Sequence, residues 1–180
     1  LNDTVVVDIV HIEAPQGNGR KRIHLDIREF LHKERSIISI ENKDDLCLAR
    51  ALVVAIAKIE RDPRYKSLVD ARGRCQEKAA KELHKLANVP LGPCGIPEVQ
   101  LFQKYLTSYE INIISAIHNN TIIYPPKPTN LNVKPINLYL HHNHYDVITT
   151  LPGFLGKCYF CHKCRQSYAQ TIDHVCPDMC

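Results

Sequence analysis

The chain has 180 residues, 44% of them hydrophobic and 23% charged, with a formal charge of +4. That balance fits a folding domain with one sizeable core and a small appendage, and it excludes a disordered polyelectrolyte. The 23 Lys and Arg are spread along the chain instead of blocked, so charge gives only a weak hint of acidic partners and composition alone does not argue for nucleic acid.

Taken in order, Asp3 to Glu13 is rich in Val and Ile and reads as a strand. Gln16-Gly17-Asn18-Gly19 is a turn before Arg20 to Ile27, so a hairpin is expected. Arg28 to Glu34 reads as a short helix, and Ser36 to Glu41 as a strand entering a polar turn at Asn42 to Asp45. From Leu48 to Ile59 apolar residues hold helical spacing, and Val53 and Val54 widen the stripe until the helix is apolar nearly all round. Such a helix is buried, and it is expected to be the central one. Pro63 ends it. Tyr65 to Ala87 reads as a second, more polar helix with an inner face of Leu68, Arg72, Cys75, Ala79, Leu83 and Leu86. After the turn-rich Pro90 to Pro97, a helix is expected to about Ser108. Strands are expected at Glu110 to Ile117, Thr121 to Tyr124, Asn137 to His141 and Asp146 to Thr150. Helices in the first half and strands in the second predict an α+β domain.

Of eight cysteines, Cys47, Cys75 and Cys94 stand alone, while the others crowd between Cys158 and Cys180. That distribution suits a metal site in a reducing compartment better than a disulfide framework. Cys75 and Cys94 are expected to be structural or incidental. No apolar run approaches the roughly 20 residues needed to span a bilayer, and the N-terminus lacks a signal-peptide pattern, so no membrane association is expected. The start at Leu1 and the stop at a cysteine suggest a segment of something longer.

Cys47 stands where the polar turn enters the apolar helix, at the positive end of the helix dipole, an arrangement that favours a thiolate. In His144-Tyr145-Asp146, residues two apart in extended chain point to one face, so Asp146 can hold the tautomer of His144. A nucleophile, a base and an orienting carboxylate are then present, and Asp44 to Leu46 with the Cys47 N–H can supply donors to an oxyanion. His141 and His142 are assigned to a strand and its exposed end, without a chemical role.

The segment Asp44-Asp45-Leu46-Cys47-Leu48-Ala49-Arg50-Ala51-Leu52 resembles the Asp-Gly-x-Cys-Leu-aromatic-Arg-Ala-Leu segment of the OTU (ovarian tumour) cysteine deubiquitinases. His144-Tyr145-Asp146-Val147 is similar to that family's later His-aromatic-Asp/Asn-x-Val segment. The resemblance implies a papain-like OTU fold, a mixed or antiparallel sheet under the buried helix, over residues 1–153. It implies Cys47 as nucleophile, His144 as base, Asp146 as third member and Asp44 as the residue shaping the oxyanion loop. The implied activity is hydrolysis after the C-terminal glycine of ubiquitin or a ubiquitin-like modifier, by a monomer in the host cytoplasm or nucleus, with no cofactor needed for catalysis. Asp45 replaces the family's glycine and Ala49 its aromatic, which puts an extra carboxylate beside the thiolate. More vaguely, the chain resembles N-terminal segments of type B DNA polymerases of Maverick/Polinton-like transposons and related viruses, which would make its ends domain boundaries and give the parent chain a nucleic-acid partner.

Residues 154–180 form the expected second module. Cys158, Cys161, His162, Cys164, His174, Cys176 and Cys180 offer more ligands than a tetrahedral zinc needs. Cys161 and Cys164 form a knuckle pair, His174 and Cys180 complete the set, and Cys176 competes for the fourth place. A structural zinc is expected. Two other readings remain beside the deubiquitinase: a papain-like protease cleaving its own polyprotein, and an inactive ubiquitin- or nucleic-acid-binding module.

Overall fold

A computed structural model describes residues 35–70, 74–125 and 133–176; the hairpin expected over 3–27, the helix expected over 28–34, and Arg72 and Cys180 lie outside the described residues. The Ala- and Leu-rich run after Cys47 forms α1 (Cys47–Ile59), as its helix propensity and apolar spacing dictate. Leu48, Ala49, Ala51, Leu52, Val54, Ala55 and Ala57 are all buried on it, and the small alanines let neighbours approach closely. Arg61 takes a left-handed φ of 53° and the Asp62 N–H bonds the Ala57 carbonyl at 2.9 Å, a Schellman-type stop just ahead of Pro63.

The single helix expected from Tyr65 to Ala87 is two, α2 (Tyr65–Val69) and α3 (Arg74–Leu86). The chain leaves the helical region at Asp70, which has ψ 105°, and the helical phase restarts beyond it. The buried face of α3 is consequently Gln76, Ala80, Leu83 and His84, while Cys75 and Leu86 are exposed. Leu68 and Leu83 hold the inner positions foreseen for them. The helix α4 (Ile96–Tyr105) starts where Pro97 suits a first turn, and Glu98 Oε2 accepts the Gly95 N–H at 2.7 Å.

Five strands form one mixed sheet in the order β1 (Ile37–Ile38), β5 (His144–Ile148), β4 (Lys134–His141), β2 (Tyr109–Ser115), β3 (Thr121–Tyr124). Among the described strands only β2 and β4 run parallel. One face, carrying Ile111, Ile113, Ile136, Leu138, Tyr145 and Val147, packs under α1 in the main core. The other carries Ile114, Tyr139 and Ile148 against Leu151 and Phe154 of the short helix α5 (Leu151–Phe154). The chain is thus α+β with a mixed sheet. A two-stranded ribbon, β6 (Tyr159–Cys161) and β7 (Gln166–Tyr168), forms a sheet of its own and leans on the second face through Phe160. Among the described residues no helix is long and apolar enough to cross a membrane.

β4 and β5 are joined by His142 and Asn143 alone, both at left-handed φ (45° and 59°), the geometry of a two-residue hairpin turn. This turn starts β5 at His144, two residues before the Asp146 expected to open it, and places His141 directly opposite His144. β1 is far shorter than the strand expected over Ser36 to Glu41. The reason lies in the side chains described next.

Candidate active site

Pairing between β1 and β5 gives way at Ile40, because two side chains of β5 take over its backbone groups. Asp146 Oδ1 accepts the Ile40 N–H at 2.7 Å, and His144 Nε2 lies 2.7 Å from the Ile40 carbonyl. A carbonyl only accepts, so Nε2 carries the proton. Asp146 Oδ1 is also 3.4 Å from that Nε2. These contacts occupy Nε2; Cys47 lines the same cleft as His144 and favours the charge of its ring. The interruption of the strand is therefore the same event that builds the site.

The hydrogen bond with Asp146 and the one with Cys47 raise His144 to about 10, against the opposing effect of burial. Asp146 is fully buried. Burial pushes its carboxyl up, but hydrogen bonds from His141, His144 and the Ile40 N–H outweigh this and bring it down to about 2. The imidazole is thus held as a cation between two partners that favour its charge. Cys47, His144 and Asp146, separately inferred from sequence, are one connected set.

The loop before Cys47 is held by Asp44. Its Oδ1 accepts the Leu46 N–H at 3.2 Å, Asn42 Nδ2 at 3.0 Å and Arg50 Nε at 3.1 Å, and its Oδ2 accepts Arg50 Nη2 at 2.6 Å. Asn42 Nδ2 also bonds the Asp44 carbonyl. Burial alone would raise the Asp44 carboxyl, yet the bonds from Arg50, Asn42 and Leu46 hold it below its usual value. The Leu46 N–H, foreseen among the oxyanion donors, is already engaged by Asp44. The Cys47 N–H, on the first helical residue, has no intrahelical partner.

A cleft of about 580 Å³ opens over these groups, lined by Asp45, Cys47, Cys94, Ile96, Asn143 and His144 among others. Asp45 is exposed at its wall. Cys94, expected to be incidental, lies in this cleft; its thiol donates to the Gly92 carbonyl at 3.3 Å. Burial, with Glu98, Cys47 and Asp45 adding negative field, pushes that thiol up to about 12, so it is no rival nucleophile.

Sequence reasoning missed three contributors. His141, given no chemical role, is buried with Nε2 2.8 Å from Asp146 Oδ2. Arg50 is a buried cation that ties the loop to α1, and Gln76 links it onward, accepting Arg50 Nη1 at 3.0 Å and donating to the Leu68 carbonyl at 2.8 Å. The first had a usable signal: a two-residue hairpin turn at His142-Asn143 makes His141 the cross-strand neighbour of His144.

In the ribbon, Cys161, Cys164, His174 and Cys176 bring one ligand atom each to within 4.8 Å of one another and can hold a metal ion. Cys161 Sγ is 3.7 Å from Cys176 Sγ, and Cys164 Sγ is 3.6 Å from His174 Nε2. Four-coordinate zinc with Zn–S of about 2.3 Å and tetrahedral angles separates sulfurs by about 3.75 Å, so the spacing fits. Burial acts to raise the Cys161 thiol, but the Cys164 backbone N–H leads a group of bonds that brings it down to about 6, the state a ligand needs. Among the described residues Cys176, the competitor for the fourth place, completes the set; Cys180 lies outside them, and Cys158 stands outside the cluster and is exposed. The His162 ring packs against that of Phe160 in a T-shaped arrangement instead.

No protein-family model matches the chain. No curated protein and no solved structure is significantly similar to it.

Proposed function

We propose that the chain is a papain-like cysteine hydrolase of OTU type that cleaves the isopeptide bond after the C-terminal glycine of ubiquitin or a ubiquitin-like modifier. The observation that carries the hydrolase reading is His144, which shares a cleft with Cys47 and meets Asp146 and the Ile40 carbonyl through Nε2. The modifier rests on the resemblance of the two short segments around Cys47 and His144.

In the reaction, the Cys47 thiolate attacks the scissile carbonyl carbon, and the C=O electron pair moves to oxygen, facing the Cys47 N–H. As the C–N bond breaks, the imidazolium of His144 gives its Nδ1 proton to the leaving amine, leaving a thioester on Cys47. The now neutral Nδ1 takes a proton from water, whose oxygen attacks the thioester; the C–S bond breaks, releasing the acid and restoring the Cys47 thiolate beside the His144 imidazolium. Asp146 stabilises the imidazolium throughout without accepting its proton. His144 is 29% exposed, which leaves room for water and the leaving group.

Ubiquitin bearing a C-terminal propargyl group tests the reading. Intact mass should show one ubiquitin added to the wild type and none to Cys47→Ala, with His144→Ala slowed by about 10²-fold or more. A folded wild type that forms no adduct with ubiquitin or with related modifiers would rule this substrate out.

We further propose that the ribbon holds a structural zinc. Two three-residue strands cannot sustain themselves, whereas metal binding supplies folding free energy directly. The purified protein is expected to carry about one zinc. Cys176→Ser and Cys161→Ser should lose it, and Cys158→Ser should keep it. On chelation, amide exchange should rise across 157–176 while α1 and the main sheet stay protected. Retention of zinc in Cys176→Ser would shift the fourth ligand to Cys180.

A further inference from the structure

Asp146 has two oxygens, and the fold uses them for different tasks. Oδ1 meets the Ile40 N–H and His144, whereas Oδ2 meets His141 Nε2 at 2.8 Å. An ionised carboxylate only accepts, so His141 Nε2 carries a proton and donates it. The donor is well placed to persist. His141 is the register partner of His144 across the turn at His142 and Asn143, and its side chain is 9% exposed. Among the described residues its Nδ1 is buried with no partner, so its one hydrogen bond is the one from Nε2 to the carboxylate. One carboxylate thus faces two imidazoles.

We propose that His141 is a positioning residue for the Cys47–His144 pair, acting through Asp146; the proposal rests on the hydrolase reading above. The torsion that turns a carboxylate about its bond to Cβ is soft. With Oδ2 pinned by His141, Oδ1 stays toward Ile40 and His144. Without that N–H, Oδ2 is a buried oxygen lacking its donor, and the carboxylate relieves this by turning or by taking a proton. Either response removes negative charge from beside His144. The ring itself would stay in place, because its shorter bond runs to the Ile40 carbonyl at 2.7 Å. Losing His141 should therefore weaken the charge of the pair more than its geometry. The titratable groups facing His141 are Asp146 and His144 on β5, Tyr139 on its own strand, at a ring distance of 5.3 Å, and His142 in the turn, at 5.9 Å.

The test needs no modifier substrate. Rates of Cys47 alkylation by iodoacetamide are measured from pH 4 to 10 on the full chain, and His144 is titrated by imidazole ¹⁵N NMR. His141→Leu removes the donor; His141→Gln keeps an amide N–H near the position of Nε2. In His141→Leu the acid limb of alkylation should move up, and the His144 titration down, by about one pH unit or more, a tenfold loss of rate at a fixed acid pH. His141→Gln should restore most of both. A folded His141→Leu with unchanged profiles overturns the proposal, as does an equal displacement in Leu and Gln, which would make the residue a matter of shape. If His141→Leu does not fold, the contrast is made between His141→Gln and His141→Asn, whose amide is too short to reach; equal profiles again overturn it. Alkylation that is indifferent to His144→Ala defeats the hydrolase reading itself. Dependence on His144 without dependence on His141 defeats only the role of His141.

Discussion

Asp146→Asn should lower kcat/KM by about 10²-fold at pH 7 and bring the basic limb of the pH profile down from its wild-type position toward neutrality. The size follows from what the change removes and what it leaves. His144 keeps its bond to the Ile40 carbonyl at 2.7 Å, so the ring is not released and the loss should fall short of the ~10⁴-fold seen when an orienting aspartate alone sets the tautomer. The charge is what disappears. His144 stands near 10 chiefly because of Asp146 and Cys47, and without the carboxylate it loses the first of these. Asn also fits the site poorly. Asp146 receives N–H groups from Ile40, His141 and His144, whereas an amide has one acceptor oxygen and would turn a donor against a donor, at a cost of about 1–3 kcal/mol.

The same pair sets the pH range of stability. Asp146 is depressed to about 2, so its contribution is complete above its unfolded value of 3.8 and is lost as pH falls through 2. His144 is raised to about 10, so its contribution is complete below 6.5 and fades as pH rises toward 10. Wild type should therefore hold both contributions between about pH 4 and 6.5. Urea midpoints of Asp146→Asn should be flatter across pH 3 to 9 than those of wild type. An unmoved basic limb in the variant would sink the assignment of Asp146.

The buried helix and the alternation that pairs His144 with Asp146 were legible because each depends on local spacing. α1 follows from apolar residues every three or four positions, and Tyr145 and Val147 enter the core while His144 and Asp146 share the opposite direction. Helical periodicity failed where it was carried through Asp70, since a break resets the phase and the foreseen inner residue Cys75 turns outward. Strand length failed at Ile40 for a different reason. Nothing within Ser36 to Glu41 shows that its N–H will go to a carboxylate 106 residues away. Arg50 was quoted only as part of a resemblance, because a charged residue on an apolar helix has no meaning until Asp44 and Gln76 close around it. At the ribbon, spacing after His174 allows Cys176 and Cys180 alike, and only the closeness of the sulfurs in the folded chain brings Cys176 into the cluster, Cys180 lying outside the described residues.

Arg50→Met should unfold more easily by about 2–4 kcal/mol and lose activity beyond what that loss explains. Its guanidinium links three parts of the molecule. Nε and Nη2 grip Asp44 in the loop, and Nη1 holds Gln76 of α3, which in turn holds the Leu68 carbonyl of α2. Methionine keeps most of the apolar stem, so the change removes charge and donors with little cavity. An entirely buried pair broken on one side costs about 3–5 kcal/mol and an exposed one about 0–1. Arg50 is 7% exposed but Asp44 is 32% exposed, so water can recover part of the carboxylate and the value falls between. For a chain of this size that is a melting point lower by roughly 4–15 °C. Activity should fall further, because Asp44 fixes the Leu46 N–H one residue before Cys47; with Arg50 gone, the loop that presents the Cys47 N–H is held by Asn42 and Leu46 alone. The double variant with Asp44→Asn should cost less than the sum of the singles by 1 kcal/mol or more, since each single strands the other partner. Measured by urea unfolding and by kcat/KM at a temperature where every variant is folded, additive stabilities, or an Arg50→Met protein within about 0.5 kcal/mol of wild type, would show that the ion pair does not hold the loop.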